Sequence, residues 1–459
     1  MAEARRHLGA GAALSVIVQG GPLLAGATLS IVLARTIGPS ANGRFALLGT
    51  LVGLVSLLAS LSLNAGIVYE VSRRRWSVRS AFRTSYEMGL ALGLAGICAG
   101  VAFFALTHGS VYKGIPFWLA LVALATLPPL LAYGYADSVL LGRERYEGYA
   151  FLELSHSATF LLVGVGLALA FGVSGAIAAL PAAAFVGAVV GVVLLRRESR
   201  RDAVVDRAGA LGRAVRFGLQ SWGANLLQQI NYRFDVLILG AFASTRDVGV
   251  YAVALTISST AWILPQALQT VLFPRVAGLH EATLSGELSV GESDASLAKA
   301  VRHGVILTIP AGLVISVLLL VGVPLAYGPR FHETTLLGFV ILPGTLMLGV
   351  GKILSSAVAG KGYPRYTLYS AAISTPLTCA LYFGLIPFYR AWGGAIGSSI
   401  SYGVTAFLAL FFFKRISSIP MAQLFIPRLD DLTDYQELVH SAHAAQRARL
   451  ARRSDQHPK

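Results

Sequence analysis

Apolar residues fall into blocks of roughly 20 to 27 along this chain, separated by short polar or basic intervals. A helix rising about 1.5 Å per residue crosses about 30 Å of hydrocarbon in such a length. The blocks run Leu8 to Leu33, Phe45 to Val68, Met88 to Leu106, Phe117 to Leu141, Phe151 to Phe171, Gly175 to Leu195, Phe217 to Phe242, Val250 to Phe273, Val305 to Tyr327, Thr335 to Ala359, Tyr366 to Phe388 and Gly393 to Phe413. They predict an all-α integral membrane protein of about twelve transmembrane helices. Their frequent Gly and Pro suit membrane helices better than alternating barrel strands. The basic interval from Arg196 to Arg213 splits the blocks six and six. The expected organisation is a six-helix lobe over 1–195, a basic linker over 196–214, a second six-helix lobe over 215–413 and a tail over 414–459.

Charge sharpens the picture. Hydrophobic residues make up 55% and charged ones 13% of the 459 residues, against about 25% charged in soluble domains, which excludes a soluble protein. Cytoplasmic segments of membrane proteins gather Lys and Arg. With both termini cytoplasmic, the tails and even-numbered connections hold 29 of the 37 Lys and Arg, while Arg35, Arg44, Lys113, Arg246, Arg330 and Arg390 mark the outer side. The net charge of +15 thus follows topology in the cytoplasmic cell membrane and does not imply nucleic acid. The first block is too long for a cleaved signal peptide and is expected to remain as a span. Cys98 and Cys379 sit within apolar blocks, so neither disulfide nor metal is expected. In the tail, Leu432, Tyr435, Val439 and Ala442 recur at helical spacing, which fits either a short helix on the membrane surface or a disordered segment.

An internal repeat relates the halves. Gly43-Arg44-Phe45-Ala46 corresponds to Gly249-Val250-Tyr251-Ala252, and Gly175-Ala176-Ile177 to Gly394-Ala395-Ile396. An even number of spans per half makes the repeats parallel, with a central cavity between them.

Polar groups inside a bilayer are costly when unpaired, so they point to function. The seventh block is richest in them. Ser221, Asn225, Gln228, Tyr232 and Asp235 follow one helical face, with Gln229 and Arg233 about 100° away. Arg233 lies about 24 Å along the helix from Phe217, in the outer half of the membrane, where a guanidinium can bind phosphate through two hydrogen bonds. A structural ion pair with Asp235 is the alternative. Lys352 lies roughly 10 Å from the inner end of its span and either snorkels or faces the cavity. Gln19 and Asn64, with Gln266 and Gln269, are further polar candidates, for substrate or for bonds between helices. Glu70, Glu87, Asp137 and Glu153 cluster near cytoplasmic ends, where pairing with the abundant Arg is expected and a proton or sodium site is the lesser alternative. Glu153 and His156 have the spacing of a metal-binding helix but lack its partner motif. No nucleophile with a paired base is recognisable, so no catalytic residue, cofactor or enzyme activity is expected.

Several stretches resemble the polysaccharide flippases, the Wzx-type branch of the MATE-like exporter superfamily. In the first half they are Ala34 to Pro39, Gly43 to Ala46 and Asn64-Ala65-Gly66. In the second they are Phe217-Gly218, Asn231 to Asp235, Gly249 to Ala254 and Leu272 to Arg275, with Gly142-Arg143 and Gly360-Lys361 ending the fourth and tenth blocks. The resemblance implies two lobes alternating around a cationic cavity. The implied substrate is a polyprenyl-diphosphate-linked oligosaccharide, moved from inner to outer leaflet among membrane lipids for surface polysaccharide synthesis. Arg233 and Asp235 match the family's polar seventh-span pattern, and a polysaccharide polymerase and glycosyltransferases are the implied partners. Two other readings stay open: a MATE-like multidrug or metabolite antiporter using Asp235, and a membrane-embedded polymerase or ligase.

Overall fold

The computed structural model describes residues 2–200, 209–285 and 289–426, and every regular element among them is helical. The first half holds α1 (Ala2–Thr36), α2 (Pro39–Ser60), α3 (Leu63–Ser72), α4 (Val78–Thr107), α5 (Phe117–Leu124), α6 (Leu127–Gly142), α7 (Tyr146–Phe171) and α8 (Val173–Ser199). The second holds α9 (Ala210–Phe242), α10 (Thr245–Ser259), α11 (Ile263–Leu284), α12 (Val290–Val317), α13 (Val323–Tyr327), α14 (His332–Gly360), α15 (Pro364–Ile416) and the short α16 (Met421–Phe425). Residues 201–208 of the linker and the tail stretch from Leu432 to Ala442 lie outside the described residues.

Nine helical stretches among the described residues are long and apolar enough to cross a membrane. Adding α1, α9 and the second half of α15 gives the twelve spans that the apolar blocks predict. Length alone qualifies α9, at 33 residues, since its polar residues interrupt the apolar run. The 53 residues of α15 contain two spans because Arg390 leaves helical geometry at φ 49°, ψ −124°. Other spans are interrupted internally. Leu61 and Ser62, both left-handed, separate α2 from α3. A 3-10 turn at Thr260–Trp262 separates α10 from α11, and a π-helical stretch at Leu318–Gly322 separates α12 from α13.

Sequence chemistry sets several boundaries. Gly38 at φ 111° precedes Pro39, which opens α2. Ser244 with Asp247, and Ser289 with Glu292, form reciprocal caps on α10 and α12. Hydrogen bonds from Ser289 hold the Glu292 carboxyl below its usual range.

The two halves repeat in three dimensions. A Cβ on Gly43 would lie 1.8 Å from the Thr245 carbonyl oxygen, and one on Gly249 would lie 1.9 Å from that of Pro39. Both pairings keep one offset, so α2 and α10 cross about a pseudo-twofold axis. Similarly, Gly175 abuts the Leu167 carbonyl as Gly393 abuts that of Leu385. Gly172, between α7 and α8, has φ 63°, ψ −136°, close to Arg390. The structural partner of Gly175 is therefore Gly393, one residue short of the Gly394 pairing read from sequence. Matching Gly-Ala-Ile triplets drew the sequence register to Gly394, whereas backbone contact fixes it at Gly393.

Core packing is uneven along the membrane normal. Connections alternate between two ends of the bundle, one of them the Lys- and Arg-rich basic face. Toward the opposite face, one apolar core runs through both halves, joining Leu47, Leu48 and Leu51 to Val248, Tyr251 and Leu255. Near the basic face α9 packs into the core around Tyr135 and Val139 through Ala210 and Ala214, while a second core around Leu297 and Leu354 lies wholly in the second half. The lobes therefore touch at both ends, through the shared apolar core at one and through α3 against α9 at the other, where a Cβ on Gly66 would lie 1.9 Å from the Ala214 carbonyl oxygen.

Candidate substrate cavity

A cavity of about 350 Å³ opens between the lobes, walled by α1, α2, α9 and α10. Its first-half wall is small and mostly apolar: Gly26 and Ser30 of α1, with Phe45, Gly49 and Gly53 of α2. The opposite wall carries Gln229 and Arg233 of α9 and Thr256 of α10. Arg233 is exposed and forms no hydrogen bond or ion pair among the described residues. A guanidinium at membrane depth that attracts buried Asp235 only through space, with no direct carboxylate contact among the described residues, suits an anionic ligand.

The remaining polar residues of α9 point elsewhere. Asp235, two positions on, is fully buried inside the second lobe. It accepts hydrogen bonds from the Tyr251 hydroxyl, from Ser398 Oγ at 3.3 Å and from the Val236 amide at 2.7 Å. Ser398 also bonds the Tyr382 hydroxyl at 3.0 Å. One turn back, buried Asn231 donates to Ser374 Oγ at 3.0 Å. Asn225, exposed, donates to Ser62 Oγ at 3.2 Å across the break between α2 and α3. Gln228 donates to the Tyr232 hydroxyl at 3.3 Å.

Lys352 on α14 forms a second cationic position. Its Nζ lies 4.9 Å from the Tyr232 ring centre and 4.6 Å from that of Trp262, distances at which a cation is attracted to the ring face. Gln269 of α11 donates to the Lys352 carbonyl. Asn64 is exposed at the start of α3. Gln19 lies on α1, with its side chain outside the described set.

The acidic residues separate by environment. Glu70, 1% exposed, takes Arg213 on one oxygen, and Glu87 pairs with Arg83 at 2.7 Å. Glu153 accepts from the Tyr133 hydroxyl, and the His156 ring stacks 4.7 Å from Tyr133. Among the described residues Asp137 Oδ1 is buried without a hydrogen-bond partner.

Contacts between the lobes close both ends to different degrees. Away from the basic face, Arg35 at the end of α1 donates to the carbonyls of Leu325 and Ala326, at 2.8 Å for the latter. These carbonyls terminate α13, where a cation also complements the helix dipole. The Gly43 and Gly249 crossing seals the same end. On the basic side, α3 meets α9 through Glu70 and Arg213, and Tyr69 stacks on Phe217 at 4.3 Å.

Residues 32–335 match the polysaccharide biosynthesis protein family along about two thirds of the sequence. The chain belongs to that family. Among curated relatives of this family member is AglR, a probable flippase of Haloferax volcanii. It is 27% identical over 206 residues, covering 43% of this chain and 42% of AglR. The match therefore spans less than half of that relative. A probable low-salt glycan biosynthesis flippase of the same organism is 22% identical over 393 residues, covering 84% of this chain and 79% of the relative. Among solved structures, the lipid II flippase MurJ in an inward closed conformation aligns with a TM-score of 0.71 at 12% identity, over 90% of this chain and 89% of MurJ. An inward-facing MATE-family multidrug transporter of the MOP superfamily aligns at 0.64 and 15% identity, over 88% and 98%. At such identities the structures establish the shared fold alone. The fold and flippase resemblance read from the sequence agree with these matches.

Sequence reading missed the aromatic side chains around these positions. Trp262, Tyr251, Tyr382 and Tyr402 lie in apolar blocks, where an aromatic residue adds hydrophobicity and conceals its polar edge. The spacing of Ser398 from Asp235, far apart along the chain, offered no local signal.

Proposed function

We propose that this family member flips a polyprenyl-diphosphate-linked oligosaccharide from the cytoplasmic to the outer leaflet by alternating access, without changing it covalently. The observation that carries this reading is Arg233, a cation without an ion-pair partner among the described residues, on the wall where the two lobes meet. Its fork-shaped guanidinium is placed to hold the diphosphate. Under the positive-inside rule the basic face is cytoplasmic. The end sealed by the Gly43–Gly249 crossing then lies outward, and the α3–α9 contact must part to admit substrate from inside. Action within surface polysaccharide synthesis, beside glycosyltransferases and a polymerase, belongs to the same reading, which the two probable flippases among the relatives support. The cytoplasmic cell membrane is the proposed location.

Equilibrium binding of a polyprenyl-diphosphate disaccharide to purified protein tests the site. Arg233→Ala is expected to weaken binding by about 10- to 100-fold, the loss of a charge-assisted contact. Arg233→Lys should recover part of it, because an ammonium lacks the fork. Undiminished binding by Arg233→Ala would remove Arg233 from the site, and no binding by wild type would remove the substrate.

A further inference from the structure

Lys352 lies in a preformed aromatic box. Trp262 is anchored by its Nε1, which donates to the Thr345 carbonyl at 3.1 Å. Tyr402 meets both Tyr232 and Trp262 edge-on, with ring centres 6.1 and 5.5 Å apart. No hydrogen bond or ion pair of the Lys352 ammonium occurs among the described residues. The two rings offset part of the charge, but an ammonium inside a membrane protein still calls for an anion or water.

The repeat provides an internal control. The offset that pairs Gly43 with Gly249 places Gly26 opposite Tyr232 and Ser56 opposite Trp262, and the offset that pairs Gly142 with Gly360 places Gly134 opposite Lys352. A Cβ added to Gly26 or Gly134 meets nothing within 4 Å. Helix packing common to both lobes therefore does not require this box. The first lobe leaves open space where the second has built aromatic rings and a cation.

We propose that Lys352, Trp262 and Tyr232 bind an acidic sugar of the transported glycan, one carrying a carboxylate on its pyranose ring. The carbon–hydrogen face of the ring packs on the indole, and the carboxylate pairs with the ammonium. A neutral sugar can satisfy the rings but leaves the ammonium without its counter-charge, so the box selects as well as binds. This inference rests on the flippase reading and adds the class of glycan. The lipid diphosphate is the other possible source of negative charge, and the experiment separates the two.

Binding is measured for three lipids: a polyprenyl-diphosphate trisaccharide containing one glucuronate, the same compound with glucose in its place, and the polyprenyl diphosphate alone. Wild type is expected to prefer the glucuronate form over the glucose form by at least about tenfold, the value of one charge-assisted contact. Lys352→Gln should bring that ratio close to one, and Lys352→Arg should keep it. Thermal melting of each variant confirms that a folded protein is compared. Equal wild-type affinity for the two glycolipids would overturn the proposal. So would a Lys352→Gln protein that keeps the preference, or one that weakens all three lipids in the same proportion, which would assign the lysine to the diphosphate. Failure of wild type to bind any of the three would instead overturn the flippase reading beneath it.

Discussion

Arg233 and Asp235 are two residues apart on α9, about 200° around the helix, and they have opposite surroundings. The first lines the cavity, while the second is enclosed by Tyr251 and Ser398. Burial makes Asp235 dependent on its donors. Tyr251→Phe removes one of them from an enclosed carboxylate, a loss of about 1–3 kcal/mol. Tyr382→Phe removes only a bond to Ser398 and is expected to destabilise less. Thermal denaturation of the two variants in the same detergent checks the order, and a Tyr382→Phe protein melting at or below Tyr251→Phe would contradict it. Arg233, Asp235 and Lys352 were legible in the sequence because charge is conspicuous in an apolar block. Their separate surroundings were not. Helical periodicity places a residue on a face, but whether that face meets the cavity or the core depends on which helices pack there.

Spans are legible as elements because the bilayer imposes one length on all of them. Interruptions within spans are not. Leu61 and Ser62 break the second span without Gly or Pro, and tertiary contacts hold them. Tyr135 donates to the Ser60 carbonyl at 3.0 Å, and Trp222 donates to that of Leu57 at 3.1 Å, using oxygens near the break. The turn inside α15 is similar, since Arg390 has a backbone conformation that Gly172 adopts in the first half. Arg390 is exposed, so few contacts depend on its side chain. Arg390→Gly is expected to raise stability by about 1 kcal/mol, with strain relief of about 1–3 kcal/mol exceeding the roughly 1 kcal/mol that glycine adds in chain entropy. Gly172→Ala should lower it, because the added Cβ lies 2.9 Å from Ile37 Cδ1 at an unfavourable φ. A melting comparison in which Arg390→Gly loses stability would show that the side chain contributes more than the turn geometry.

For the whole molecule, contacts between the lobes at both ends give the proposed alternating access a physical form. Away from the basic face the lobes share one apolar core, reinforced by Arg35 and the Gly43–Gly249 crossing; at the basic face α9 packs into the first-half core, with Gly66 against the Ala214 carbonyl. Opening away from the basic face must part the shared core, and opening toward it must part α3 from α9. Either opening moves packed helices as units, since close-packed interiors shift between discrete arrangements rather than deforming. The sequence exposed the repeat, and hence the two lobes, but not how each end is closed, because contacts between halves have no periodicity along the chain.

The central claim is that a lipid-linked glycan crosses the bilayer past Arg233. Leaflet transfer of a fluorescent polyprenyl-diphosphate oligosaccharide in proteoliposomes measures it directly, with a small cationic drug as control cargo. Wild type is expected to transfer the glycolipid and leave the drug behind, with Arg233→Ala slowed by at least about tenfold. Drug export without glycolipid transfer would contradict the account and assign the protein to multidrug antiport.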